Sequence, residues 1–166
     1  DDTFANRYGG LVELLIKDIA NTTRNDSDFP YMRNFDVYEG HSWADGMGGW
    51  ETSDGGFVYS DSINEESSSE AMNAWSAIYL WGMATNKASY TNFANSDKNI
   101  KLGVWLYTNN YNSLRDYYLD VDSGDSQNEI YPSALLDTYG KHGSIGILYG
   151  GRGLYYLHWN PTHGAR

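Results

Sequence analysis

Three acidic residues stand at positions where paired carboxyl chemistry is feasible. Glu66 and Glu70 are four apart at the start of an apolar periodic segment, so on a helix they share one face. Asp36 lies upstream, in a long loop beginning at residue 22. Cleaving a glycosidic bond needs two such groups, one protonated to assist the leaving oxygen and one ionised to attack or to activate water. Each also has a plainer reading. Ser67-x-x-Glu70 is a capping box, in which Glu70 reaches back to the helix start. Asp36 is equally suited to a turn in Arg33-Asn34-Phe35-Asp36.

Other chemistries find no support in the sequence. It holds no His-Glu-x-x-His zinc site, no P-loop and no dinucleotide fingerprint, and it has no cysteine. No cofactor and no metal are therefore expected. Gly143-Ser144-Ile145-Gly146 has His142 where a nucleophile elbow needs its first glycine. The run from Asp120 through Asp122 and Gly124 to Asp125 opens like a calcium loop, but Tyr131 stands where the closing glutamate belongs. It reads as a solvated acidic turn.

Composition points the same way. Eleven basic against twenty-two acidic residues give a net charge of −11, with no basic cluster to meet nucleic acid or an anionic membrane. No apolar run is long enough to span a bilayer, and no charged-then-apolar leader opens the chain. Six Trp, fifteen Tyr and five Phe provide flat apolar faces with polar edges, which suit sugar rings. An aromatic-cored secreted domain would have the same composition.

Three segments must position these residues. Phe4, Tyr8, Leu11, Val12, Leu15, Ile16 and Ile19 form an apolar stripe predicting a helix from about residue 4 to Asn21. A second helix opens at Ser67–Glu70 and runs through Ala71, Ala74, Trp75 and Ile78 to Trp81, with Gly82 as its stop. Ile100, Val104, Tyr107, Tyr111, Leu114 and Tyr118 carry a third, whose tyrosines are expected in the core. A shorter helical piece is expected around 88–94. Residues 22–66 and 121–166 read as Gly-rich loop, the latter with a short hairpin. Long loops inside compact domains are often functional. The 166 residues are expected to form a single domain.

The blocks themselves are distinctive. The run from Phe29 to Ala44, containing Asp36-Val37-Tyr38-Glu39-Gly40-His41-Ser42-Trp43, resembles the signature of the glycoside hydrolase family 81 endo-β-1,3-glucanases. So does Glu66-Ser67-Ser68-Ser69-Glu70-Ala71-Met72-Asn73-Ala74. The resemblance extends to Arg7-Tyr8-Gly9, Ile19-Ala20-Asn21, Leu80-Trp81-Gly82, Leu106-Tyr107-Thr108 and Ile147-Leu148-Tyr149-Gly150-Gly151, covering nearly the whole chain.

The resemblance implies inverting hydrolysis of internal β-1,3 bonds within a barrel of paired helices. The expected fold is thus mainly α, a partial (α/α) barrel of helical hairpins with long Gly-rich active-site loops. Asp36 matches the family's general acid, while Glu66 and Glu70 match two glutamates tied to activity, the second favoured as base. His41, Trp43, Tyr38 and Trp50 are the candidate substrate-binding residues, Trp43 and Trp50 doing equally well as buried loop anchors. A β-1,3-glucan partner and an extracellular or cell-wall setting follow.

Three features depart from the pattern. Glu65 stands where the family usually has Gln, adding a third carboxyl beside the site. The stretch from Trp43 to Glu66 is longer than expected. The chain is also far shorter than a whole family member, which makes a non-catalytic glucan-binding module or an inactive fragment the alternatives, with self-association through exposed helix faces. Asn21-Thr22-Thr23 and Asn25-Asp26-Ser27 fit the glycosylation sequon; His142 and His158 have no assigned role.

Overall fold

A computed structural model of the chain describes residues 2–43, 50–51, 53–55, 57–58, 64–65, 68–86, 95–119, 147–149, 152–154, 156–157 and 160–164. Among these, three helices form the body. They are α1 (Asp2–Ala20), α2 (Ser68–Thr85) and α3 (Ser96–Ser113), the last running into a π-helical turn at Leu114–Tyr118. The expected helical piece at 88–94 lies outside the described residues.

The α1 stripe is narrower than the spacing predicts. Ala5, Ile16 and Ala20 are buried with Val12 and Ile19 packed beside them, whereas Phe4, Tyr8, Leu11 and Leu15 are exposed. The helix ends where the chain folds back over its last carbonyls. Asn34 N donates to Ile19 O, Met32 N to Asn21 O and Arg33 Nε to Asp18 O. These bonds satisfy acceptors that a helix end otherwise leaves to water. The Asn21 side chain is part of this closure: Nδ2 donates to the carbonyls of Phe29 and Thr23, with the residue only 2% exposed. Its sequon is therefore unusable in the folded chain.

Helices α2 and α3 are antiparallel, because their contacts pair Gly82 with Ile100, Tyr79 with Gly103, and Trp75 with Asn110. Gly82 is not the stop that the sequence suggests. The ladder continues past it, with Asn86 N donating to Gly82 O, and the helix reaches Thr85. The glycine is needed for close approach instead. A Cβ there would lie 2.7 Å from Ile100 N, and one at Gly103 would lie 2.5 Å from Tyr79 N.

The core sits between this hairpin, α1 and the 31–35 loop: Ile16, Ala20, Met32, Phe35, Trp75, Ile78, Leu102 and Leu106. Phe35 meets Trp75 edge-on at 5.7 Å, and Trp75 Nε1 donates to Asn110 Oδ1 at 3.0 Å. Glu13 ties all three helices together, accepting from Trp81 Nε1 at 2.7 Å, Asn99 Nδ2 at 2.9 Å and Asn95 Nδ2 at 3.4 Å. Of the three tyrosines expected in the core, only Tyr118 is buried; Tyr107 and Tyr111 are exposed. The π-helical turn accounts for the difference, since it interrupts the 3.6-residue phase that the three would share.

The loops hold short antiparallel ladders. Strand β1 (Phe35–Asp36) pairs with β2 (His41–Ser42), and β3 (Trp50–Glu51) with β4 (Phe57–Val58). Strand β5 (Asn64–Glu65) pairs with β6 (Ile147–Tyr149), which forms a hairpin with β7 (Arg152–Leu154) as the sequence suggests. Strand β8 (Tyr156–Leu157) pairs with β9 (Asn160–Gly164). The β5–β6 pairing brings the C-terminal segment beside the start of α2.

Candidate active site

The site is built on the β1–β2 hairpin. Its register sets Asp36 directly opposite His41 and Phe35 opposite Ser42. Phe35, 1% exposed, anchors β1 in the core, so the neighbouring Asp36 is held at the rim. Gly40 makes the return possible with φ +74°, while its N–H donates to Asp36 O.

The Asp36 carboxylate is fixed on both oxygens. Oδ1 accepts from the backbone N–H of Tyr38 at 2.8 Å and of Glu39 at 3.1 Å; Oδ2 accepts from Trp43 Nε1 at 3.3 Å. The turn contacts thus fall on Oδ1, and among the described residues Oδ2 has the one longer bond from Trp43.

His41 is 2% exposed, its Nδ1 2.8 Å from the Ser42 carbonyl. That carbonyl can only accept, so Nδ1 carries the proton and the neutral ring keeps Nε2 as its acceptor. Burial pushes the imidazole pKa below its ordinary value, opposed by the Ser42 carbonyl and by the charges of Glu39 and Asp36. Trp43 packs edge-on at 4.5 Å and Tyr117 at 5.9 Å. Trp43 is 3% exposed and reaches the Asp36 carboxylate through its indole N–H. Tyr38 is the opposite case, 94% exposed beside Asp36 and open to a ligand.

Glu70 is exposed in the first turn of α2, where a carboxylate suits the helix dipole. Glu66 lies outside the described residues, as does Ser67, the residue that would complete a capping box with Glu70. For Trp50 the backbone pairing with Val58 is the described feature. The 120–131 acidic run, residues 142–146 and His158 also lie outside the described residues. Among the described residues, no cluster of three or more His, Cys, Asp or Glu could hold a metal ion, and no helix is long and apolar enough to cross a membrane.

Several members of the cluster have no motif to announce them. Glu65 is 2% exposed and accepts from Ser42 Oγ at 2.9 Å, bridging β2 to β5. The Tyr118 hydroxyl donates to the Glu65 carbonyl. Tyr117 shares a hydrogen bond with Glu39, and its phenol is pushed up to about 12, chiefly by burial and then by the Glu39 contact. Only the extra carboxyl at Glu65 was visible in advance, as a departure from the family pattern.

The described residues thus form a helical body with loop-borne carboxyl groups beside a buried histidine. The family model described as the glycosyl hydrolase family 81 C-terminal domain matches residues 1–151. The chain belongs to this family. It is 39% identical over its whole length to a glucan endo-1,3-beta-D-glucosidase from Acetivibrio thermocellus, covering 18% of that protein. It is 37% identical over 75% of its length to glucan endo-1,3-beta-D-glucosidase 2 from Saccharomyces cerevisiae, covering 13% of it. A solved family 81 glycoside hydrolase from Clostridium thermocellum superposes with a TM-score of 0.68 at 38% identity, over 96% of this chain and 19% of that one. The chain spans less than a fifth of the length of these relatives.

Proposed function

We propose that this chain contributes the acid and base groups for hydrolysis of internal β-1,3-glucosidic bonds in β-1,3-glucan, with inversion at the anomeric carbon. The observation that carries the reading is the fixation of Asp36. Oδ1 is held by two turn N–H groups, while among the described residues Oδ2 has one, longer bond, from Trp43. A general acid needs one oxygen anchored and one able to hand over its proton, and this arrangement divides the two tasks.

In this mechanism Asp36 protonates the departing glycosidic oxygen as the C–O bond breaks. Glu70 takes a proton from a water molecule, which attacks the opposite face of the sugar ring, and Glu66 orients the sugar or that water. An inverting site requires about 6.5–9.5 Å between acid and base to admit the water. Tyr38 provides an exposed ring for a sugar face, and Trp50 is a second candidate platform. The helical pair α2/α3 is read as one hairpin of an (α/α) barrel, acting on glucan outside the cell or in a cell wall. Exposed Phe4, Tyr8, Leu11 and Leu15 on α1 favour association with a second copy. A monomer by light scattering would remove that last element.

Product configuration tests the mechanism. Early hydrolysis of laminari-oligosaccharides, followed by NMR, should yield the α-anomer first. Initial β-anomer would overturn inversion, and glucan binding without any release of reducing ends would leave a binding module in place of an enzyme.

A further inference from the structure

Glu65 is the one acidic side chain among the described residues that is fully buried, at 2% exposure. It lies at a junction. Its carboxyl oxygen Oε2 accepts from Ser42 Oγ on the hairpin that carries Asp36. Its carbonyl accepts from Tyr118 on the π-helical turn, its backbone pairs with Leu148 of β6, and α2 with Glu70 begins three residues later. We propose that Glu65 is a positioning residue for the hydrolysis proposed above: as an uncharged, hydrogen-bonded carboxylic acid it braces the Asp36 hairpin against the start of α2, and loss of its proton releases that brace.

The surroundings explain why the uncharged form is the one that fits. The groups on the elements packed against it are Asp36, Glu39 and His41 on the hairpin, Glu70 on α2, Arg115, Asp116, Tyr117 and Tyr118 on the π-helical turn, and Tyr149 on β6. Arg115, the cation of this set, is exposed and lies over the Tyr111 ring at 6.0 Å. Burial raises the Glu65 pKa to about 7, the Ser42 hydroxyl opposes the rise, and the charge of Glu70 adds to it. An ionised Glu65 would be a buried anion beside Glu70, and water drawn in to solvate it would loosen the contact that fixes β2.

The effect on stability has a definite sign. The folded-state pKa of about 7 exceeds the ordinary 4.5, so between these values the folded chain holds more protons than the unfolded one. Stability from this group is present below pH 4.5 and is lost as pH rises toward 7, the folded-to-unfolded ratio falling about tenfold per pH unit.

The test compares the chain with E65Q, whose amide oxygen can still accept from Ser42 but cannot ionise. Reducing-end release from laminarin is measured across the pH range, each profile normalised to its own maximum. The alkaline midpoint of E65Q should lie at least one unit above that of the parent; coincident midpoints overturn the proposal. Melting temperatures form an arm independent of hydrolysis. The parent should lose stability relative to E65Q as pH rises from 4.5 to about 7. If no glucan is cleaved at any pH, the hydrolysis reading fails and melting alone decides whether Glu65 is the brace: parallel curves overturn it. An E65Q chain that does not fold also overturns it, since an uncharged acceptor of equal size must suffice.

Discussion

Asp36 and His41 face each other across the β1–β2 ladder, one with its carboxylate at the rim and the other with its ring 2% exposed. The imidazole of His41 packs edge-on against the indole of Trp43, with ring centroids 4.5 Å apart, and that indole donates to Asp36. Asp36→Asn keeps an oxygen for the two turn N–H groups but places an amide N–H against Trp43 Nε1, donor facing donor. The variant should fold, with a stability loss of about 1–3 kcal/mol from the unpaired groups. Its turnover should fall about 10²–10⁴-fold. An aryl glycoside, if accepted, departs without protonation and should recover most of that loss. Equal defects on both substrates would remove Asp36 from the acid role.

Glu70→Gln separates base from helix cap. A glutamine still caps, so if capping were the only role, turnover and melting temperature would both survive. If Glu70 is the base, hydrolysis should fall by about 10²–10⁴-fold, and an activated leaving group should not help because the water remains unactivated. Azide, a small anionic nucleophile, should restore turnover and give an α-configured azide product. Near-normal hydrolysis in this variant would move the base to Glu66, whose glutamine variant should then show the azide response.

The helices were legible because burial on one side repeats every three to four residues, and α1 and α2 fall where that period places them. What escaped the sequence is what depends on partners far along the chain. Gly82 has the signature of a helix stop, but Ile100 makes it a contact surface, and no local pattern encodes a neighbour eighteen residues on. Glu13 reads as one more polar residue on α1 until Trp81, Asn95 and Asn99 converge on it. The blocks around Asp36 and Glu70 are local motifs, and what they made readable was the family. The Ser42–Glu65 bridge spans 23 residues and was not readable.

The α2–α3 contact gives a stability test with an internal control. At Gly103 an alanine Cβ would sit 2.5 Å from Tyr79 N and 2.8 Å from its Cα, backbone atoms that cannot swing aside. Gly103→Ala should force the helices apart and cost about 1–3 kcal/mol. Gly10 lies in the middle of α1, where an added Cβ meets nothing within 4 Å. There the same substitution should stabilise by about 0.5–1 kcal/mol, through helix propensity alone. Denaturant midpoints decide it: a Gly103→Ala midpoint equal to the parent's would mean that the helices do not approach as closely as described.

His41 and Glu65 give the stability of the site two opposed dependences on pH. Burial, the largest cause, lowers the His41 pKa from 6.5, so just below that value the unfolded chain binds the proton that the folded ring refuses. Stability from His41 is therefore present above pH 6.5 and is lost as pH falls toward the lower folded-state value. Glu65 acts with the reverse sign, losing stability as pH rises toward about 7. The two slopes partly cancel in the parent chain. His41→Asn removes one of them while leaving a side-chain N–H for the Ser42 carbonyl. The variant should melt lower at pH 7, where the packed ring on Trp43 is lost. Its deficit should shrink as pH falls below 6.5, because it no longer has a ring to protonate. Melting curves of parent, His41→Asn and Glu65→Gln between pH 4.5 and 8 resolve the two terms, as other titrating groups contribute alike to all three. A His41→Asn curve running parallel to the parent's would show that the imidazole is not held neutral by burial.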